Sequence, residues 1–191
     1  MKSIGIFCGS SDGHSSVYLQ AARETGTYLT QAGLGIVYGG GRVGLMGAVA
    51  DSALQHGGHV TGVIPVSLVE REIAHTGLTD LQVVENMHQR KDRMAVLSSA
   101  FIALPGGAGT LEEIFEQWTW GQLGIHNKPC AFYNINNFYQ PLQEMVQKMA
   151  DEGFMKQSYV DMLLFSDSLP EIVAFFSAYT PPASKWMAGQ K

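Results

Sequence analysis

Charged side chains are sparse in this 191-residue chain, only 15% of it, and the basic ones are outnumbered, 12 Lys and Arg against 17 Asp and Glu for a net charge of -5. Without a basic excess the chain lacks the electrostatic footprint that holds nucleic acid or an acidic membrane surface, so neither partner is expected. Cysteine is nearly absent. Cys8 and Cys130 stand alone, each in a short apolar run, too few for a disulfide framework and in keeping with core thiols. Long apolar runs are missing too: Ile4 to Cys8 is too short for a signal-peptide core, and nothing approaches the roughly 18 to 20 residues of a membrane span, so a cytoplasmic protein is expected. The six histidines form no ligand spacing with the cysteines, and no metal is expected. No G-x-x-x-x-G-K-[ST] and no G-x-S-x-G occurs, which removes P-loop hydrolysis of ATP or GTP and the serine-hydrolase elbow.

What the chain does have is glycine, 22 residues of it, and the glycines cluster. Ser3 to Cys8 reads as a strand, Gly9 to Gly13 as a loop, and Ser16 to Ala32 as a helix stopped by Gly33. The unit recurs as strand Leu34 to Tyr38, loop Gly39 to Gly44 and helix Leu45 to His56, followed by strand His59 to Ile64. After a less regular stretch come strand Leu81 to Val84, helix Asn86 to Ser99, strand Phe101 to Leu104, loop Pro105 to Gly109 and helix Thr110 to Leu123. Strand Cys130 to Tyr133, helix Phe138 to Asp151 with Pro141 in its first turn, strand Met162 to Phe165 and helix Leu169 to Ala178 complete the alternation. The pattern predicts one domain over residues 1–179, an α/β doubly wound, Rossmann-like parallel sheet with helices on both faces, and a disordered tail over 180–191. In such folds ligands bind outside the carboxyl ends of the strands, where all the Gly-rich loops fall.

Gly39 to Gly44 spells G-x-G-x-x-G between strand and helix, but the next strand ends at Ile64-Pro65 without the acid that would hold a ribose of NAD. Gly40 and Gly41 therefore either let backbone amides approach a phosphate or serve tight turning alone. Pro105 to Glu113 (PGGAGTLEE) is the stronger signal, since amides from Gly107 to Thr110 at a helix start make an anion site. The same residues also read as a capping box, Thr110 capping and Glu113 reaching back. In helix 86–99 a step of about 100° per residue puts Met87, Arg90, Met94 and Leu97 on one inward face with Lys91 at its edge. A buried guanidinium needs an anion, either a structural carboxylate or a bound phosphate.

Met87-His-Gln-Arg-Lys91 together with Pro105-Gly-Gly-Ala-Gly-Thr-Leu-Glu-Glu113 resembles the paired motifs of the LOG (LONELY GUY) family of cytokinin riboside 5'-monophosphate phosphoribohydrolases, often labelled possible lysine decarboxylases. The resemblance runs from about Ile4 to Phe176 and takes in Gly39 to Gly47 and Thr119 to Gly124. It implies hydrolysis of the N-glycosidic bond of an N6-substituted adenosine 5'-monophosphate to free base and ribose 5-phosphate, without a cofactor, by a homodimer. It marks Arg90 and Glu113 as the catalytic pair, Lys91, Gly107, Ala108, Gly109, Thr110 and Thr119 as nucleotide contacts, and Glu72 as a contact near base or ribose. Ala108 departs from the larger, often aromatic residue that many members carry there. The reading from another class is a non-catalytic nucleotide carrier or regulator; Glu113 separates the two, because hydrolysis needs a carboxylate beside the sugar and binding does not.

Overall fold

Short apolar runs become strands in the middle of the sheet because both of its faces are covered there, so neither face selects for polar residues; the edge strand Asp80–Val84 is only half-buried and alternates. The computed structural model describes residues 1–69 and 73–184. In chain order the elements are β1 Ser3–Phe7, α1 Ser16–Gln31, β2 Gly35–Tyr38, α2 Gly44–Gln55, β3 Val60–Pro65, α3 Val66–Val69, β4 Asp80–Val84, α4 Met87–Leu97, β5 Ala100–Ala103, α5 Ala108–Leu123, β6 Cys130–Tyr133, a 3-10 turn Ile135–Asn137, α6 Gln140–Asp151, α7 Gln157–Val160, β7 Leu163–Ser166 and α8 Leu169–Ala178. Pro141 falls in the first turn of α6, where its missing N–H costs nothing.

The strands form one sheet in the order β4-β3-β2-β1-β5-β6-β7, and every pairing is parallel. Ala22 and Leu29 of α1, Val49 of α2 and Ile172 of α8 pack on one face. Met94 of α4, Ile114 and Trp118 of α5, and Val146 of α6 pack on the other. This is the doubly wound arrangement. From β1 the chain works outward through β2, β3 and β4, then returns to place β5 on the free side of β1, with Ile4 beside Ala100 and Phe7 beside Ala103. The strand order therefore reverses between β1 and β5, and the crevice opens there. Thr180–Ser184 carry no regular structure, with Ser184 against Gly124, and the rest of the predicted tail lies outside the described residues.

Candidate active site

Three Gly-rich loops meet at the carboxyl ends of β2, β1 and β5. Gly9 N donates to Pro105 O at 3.0 Å and Leu45 N to Gly9 O at 3.1 Å, so the β1 loop is tied to both neighbours. A cleft of 360 Å³ opens between them, lined by Ser10, Ser11 and Asp12 on one wall, Pro105 to Gly107 on the other, and closed by Tyr18 and Phe138. Those two rings meet edge to face with centroids 5.7 Å apart. A larger groove of 650 Å³ runs between α1 and the start of α8, lined by Arg23, Tyr28 and Tyr133 among others, but none of the predicted site residues lines it.

The α5 start is built differently from the predicted capping box. Gly107 is the N-cap, extended at φ -91° and ψ -160° with no side-chain cap, which puts Thr110 inside the first turn rather than before it. Thr110 is buried, and the space it fills explains Gly106: a Cβ there would overlap the Thr110 hydroxyl and stand 2.8 Å from Gly9 N. Gly107, Ala108 and Gly109 are exposed, and a Cβ on Gly107 or Gly109 would meet nothing. The first bond into the helix runs from Leu111 N to Gly107 O at 3.3 Å, which leaves the amides of Ala108, Gly109 and Thr110 without helical acceptors at the positive end of a 16-residue helix.

Arg90 is delivered by α4, whose N-cap Asn86 accepts from Gln89 N at 3.0 Å and so sets which face turns inward. The residue is 8% exposed. Its Nε donates to Val63 O at 3.1 Å and its Nη2 to Gly39 O at 2.9 Å. Nη1 is left facing Glu113 Oε1 at 3.9 Å and Met87 Sδ at 3.8 Å. The buried cation is thus satisfied by backbone carbonyls and paired loosely with one carboxylate. Glu113 itself is 15% exposed at its side chain, and burial, countered in part by Arg90, holds its carboxyl above the usual range. Cys8, under the pair at the end of β1, stays a thiol because burial and Glu113 push its ionisation up.

The other predicted residues distribute unevenly. Met87 is not the core residue expected: it is 44% exposed on the first turn of α4, with its sulfur against Nη1 of Arg90. Lys91 Nζ lies 2.7 Å from Glu112 and 3.0 Å from Glu116, and those bonds, chiefly the one to Glu112, hold the ammonium charged against the cost of burial. Thr119 is exposed on the stripe of α5 that carries Glu112 and Glu116, away from Glu113. Gly40 and Gly41 are buried under residues 73–75: His75 N donates to Gly40 O at 2.9 Å and Arg42 N to Ile73 O at 3.0 Å. Gly44, with φ +61°, packs so closely on the backbone of Ser10 that the fingerprint glycines join loop to loop. Glu72 lies outside the described residues. Sequence reasoning gave no role to Tyr18, Phe138 or the Val63 carbonyl and read Gly39 only as part of the fingerprint, while the Gly-rich runs after β1 and β5 signalled the two cleft walls. Among the described residues no three His, Cys, Asp or Glu are placed to share a metal, and no helix is long and apolar enough to cross a membrane.

A family model described as possible lysine decarboxylase matches residues 46–175. A cytokinin riboside 5'-monophosphate phosphoribohydrolase of Rhodococcoides fascians is 52% identical over 155 residues, 81% of this chain and 78% of that protein. The enzyme of that name called LOG1 in Arabidopsis thaliana is 44% identical over 184 residues, 96% of this chain and 86% of the relative. Among solved structures, a molybdenum cofactor binding protein from Rippkaea orientalis superposes with a TM-score of 0.70 at 18% identity, covering 93% of this chain and 97% of its own. The molybdenum cofactor carrier protein of Chlamydomonas reinhardtii gives 0.68 at 19%, covering 91% and 95%; at such identities the likeness is one of fold. With the model matched over most of the chain and relatives of this identity spanning nearly all of it, the chain belongs to the LOG family.

Proposed function

We propose that the protein is a phosphoribohydrolase that cleaves the N-glycosidic bond of N6-substituted adenosine 5'-monophosphates, giving the free base and ribose 5-phosphate. The observation that carries the reading is Glu113: a largely buried carboxylate, close to a backbone-anchored arginine, one turn inside a helix whose first amides are open. The curated relatives bear the name of that activity.

The chemistry follows from charge. Breaking the bond leaves positive charge on the ribosyl ring and negative charge on the departing purine. The open amides of Ala108 to Thr110 take the 5'-phosphate, and at about 1.5 Å of rise per residue Glu113 stands a few ångströms further along the helix, a spacing that suits the sugar. Glu113 stabilises the ribosyl cation and takes a proton from the attacking water; the water oxygen bonds to C1', the purine leaves with the bond pair, and a solvent proton completes the base. A guanidinium is a poor proton donor, so Arg90 orients Glu113 or meets the nucleotide through Nη1 rather than acting as an acid. Decarboxylation through a Schiff base would require a neutral lysine, and Lys91 is held charged by Glu112 and Glu116.

Glu72 and Thr119 enter this reading as nucleotide contacts carried by family likeness, as does a cytoplasmic homodimer in which residues 1–179 act as one unit. Symmetric dimers are the commonest oligomers. The test is chromatography of products after incubation with N6-isopentenyl-AMP, AMP, GMP, CMP and the matching nucleosides, beside Glu113→Gln. Base and ribose 5-phosphate released from nucleotides only, and lost in Glu113→Gln, support the reading. Folded protein that binds AMP but releases nothing overturns it in favour of a nucleotide carrier.

A further inference from the structure

The first glycine of the G-x-G-x-x-G run is not explained by its backbone. Gly40 and Gly44 have φ of +72° and +61°, where a side chain is strained, but Gly39 is not among the residues of positive φ, so an L residue fits its conformation. What excludes a side chain is Arg90. A Cβ built on Gly39 would overlap Nη2 of Arg90 and stand 3.0 Å from Cζ and 3.5 Å from Nε, and its three nearest neighbours all belong to that one side chain. The same residue's carbonyl accepts Nη2 at 2.9 Å, while the carbonyl of Val63, in the adjacent strand β3 two residues before its end, accepts Nε at 3.1 Å.

We propose that Gly39 is the positioning residue for Arg90: by lacking a side chain and offering its carbonyl, it fixes the guanidinium plane across the ends of β2 and β3 so that Nη1 faces Glu113. The obstacle a side chain would meet is the far end of a flexible arginine, so Gly39→Ala shifts the guanidinium and leaves the strand in place. Both carbonyl bonds are then broken or bent, and the one nitrogen turned toward Glu113 leaves its position. Gly39 thus acts on the reaction through Arg90 alone, across 51 residues of sequence.

The kinetic part of the test rests on the phosphoribohydrolase reading; the stability part does not. Four proteins are compared: wild type, Gly39→Ala, Arg90→Ala and the double variant, by base release from N6-isopentenyl-AMP and by urea midpoint. Gly39→Ala is expected to lose turnover to about the extent of Arg90→Ala, on the order of a hundredfold or more. Adding Gly39→Ala to Arg90→Ala is expected to change the rate by less than about twofold, since the space is then free. In Gly39→Ala the acid limb of the pH profile moves upward, because the cation that favours ionised Glu113 has moved away. Introducing Gly39→Ala lowers the midpoint when Arg90 is present and leaves it in place when Arg90 is absent. Near wild-type turnover in Gly39→Ala, or losses that multiply in the double variant, overturn the proposal. If wild type releases base from no nucleotide, the functional reading falls and the midpoints still decide: non-additive midpoints uphold the assignment, additive ones overturn it.

Discussion

Glu113 is held where a carboxylate is uncomfortable, and that has a sign that can be checked. Burial raises its pKa more than Arg90 lowers it, so the folded protein binds this proton more tightly than the unfolded chain does. A raised carboxyl favours the native state at low pH and costs stability as pH climbs from the unfolded pKa through the folded one. Glu113→Gln, which keeps the shape without the charge, is therefore expected to be at least as stable as wild type at pH 7, with the difference closing as pH falls toward the ordinary carboxylate range. Its turnover is expected to drop about 10²- to 10⁴-fold, the usual contribution of a positioned base. Urea midpoints at several pH values with matched kinetics check both; a large loss of stability at pH 7 would mean that the Arg90 contact outweighs burial. For wild type, the acid limb of the rate profile is expected above the range of a solvated glutamate. Arg90 stood out in the sequence because an inward cation is costly to place without an anion, whereas Glu113 read equally well as one end of a capping box and took its role from the likeness to the LOG motifs. Gly39 was not legible, because its reason is a contact made across the sheet ends. Nor was the N-cap: Thr110-x-x-Glu113 has the spacing of a capping box, and the helix begins earlier because three small residues can enter its first turn.

The α5 N-terminus makes the binding and stability readings part company. Gly107 has an extended backbone open to any residue and no neighbour where a Cβ would go. An aspartate there caps the helix and meets its dipole, worth a few tenths of a kcal/mol over glycine and up to about 1 kcal/mol with the dipole. It also puts a carboxylate where the phosphate is proposed to sit. Gly107→Asp is expected to melt at or above the wild-type temperature and to raise KM for the nucleotide at least about tenfold, by like-charge exclusion from the same amides. Unchanged KM would move the phosphate elsewhere. The contrasting case is Gly26, buried where α1 crosses α2: a Cβ there would overlap Val49 O and stand 2.9 Å from Ala53 N. Alanine gains about 1 kcal/mol of helix propensity, but overpacking against rigid backbone costs roughly 1–3 kcal/mol, so Gly26→Ala is expected to lower the urea midpoint. Longer elements were legible from periodicity, and α4 and α8 fall within two residues of expectation at each end. The four-residue helices α3 and α7 were not, being too short to carry a period of 3.6.

At the scale of the molecule, the sequence implied a parallel sheet but could not order its strands, because a crossover helix looks the same whichever side it returns on. That order decides where the crevice opens. With β5 against β1, the crevice is walled by a loop from the first half of the chain, Gly9 to Gly13, and one from the second, Pro105 to Gly107. A ligand seated there touches both halves, so its binding free energy adds to the stability of the whole fold. Glu113→Gln, expected to bind without hydrolysing, isolates this effect. With AMP at about 100 times its Kd, the gain is about 2.7 kcal/mol. At roughly 2–4 °C per kcal/mol for a chain of this size, the melting temperature should rise by about 5–10 °C. Adenosine, without the phosphate proposed to sit on the α5 amides, should give a much smaller rise at equal concentration, and Gly107→Asp placed in the same background should erase the difference between the two. Equal shifts from AMP and adenosine would mean that the phosphate contributes nothing to holding the halves together. The anchor would then be the base, and the Tyr18 and Phe138 end of the cleft, rather than the start of α5, would be the place to look for it.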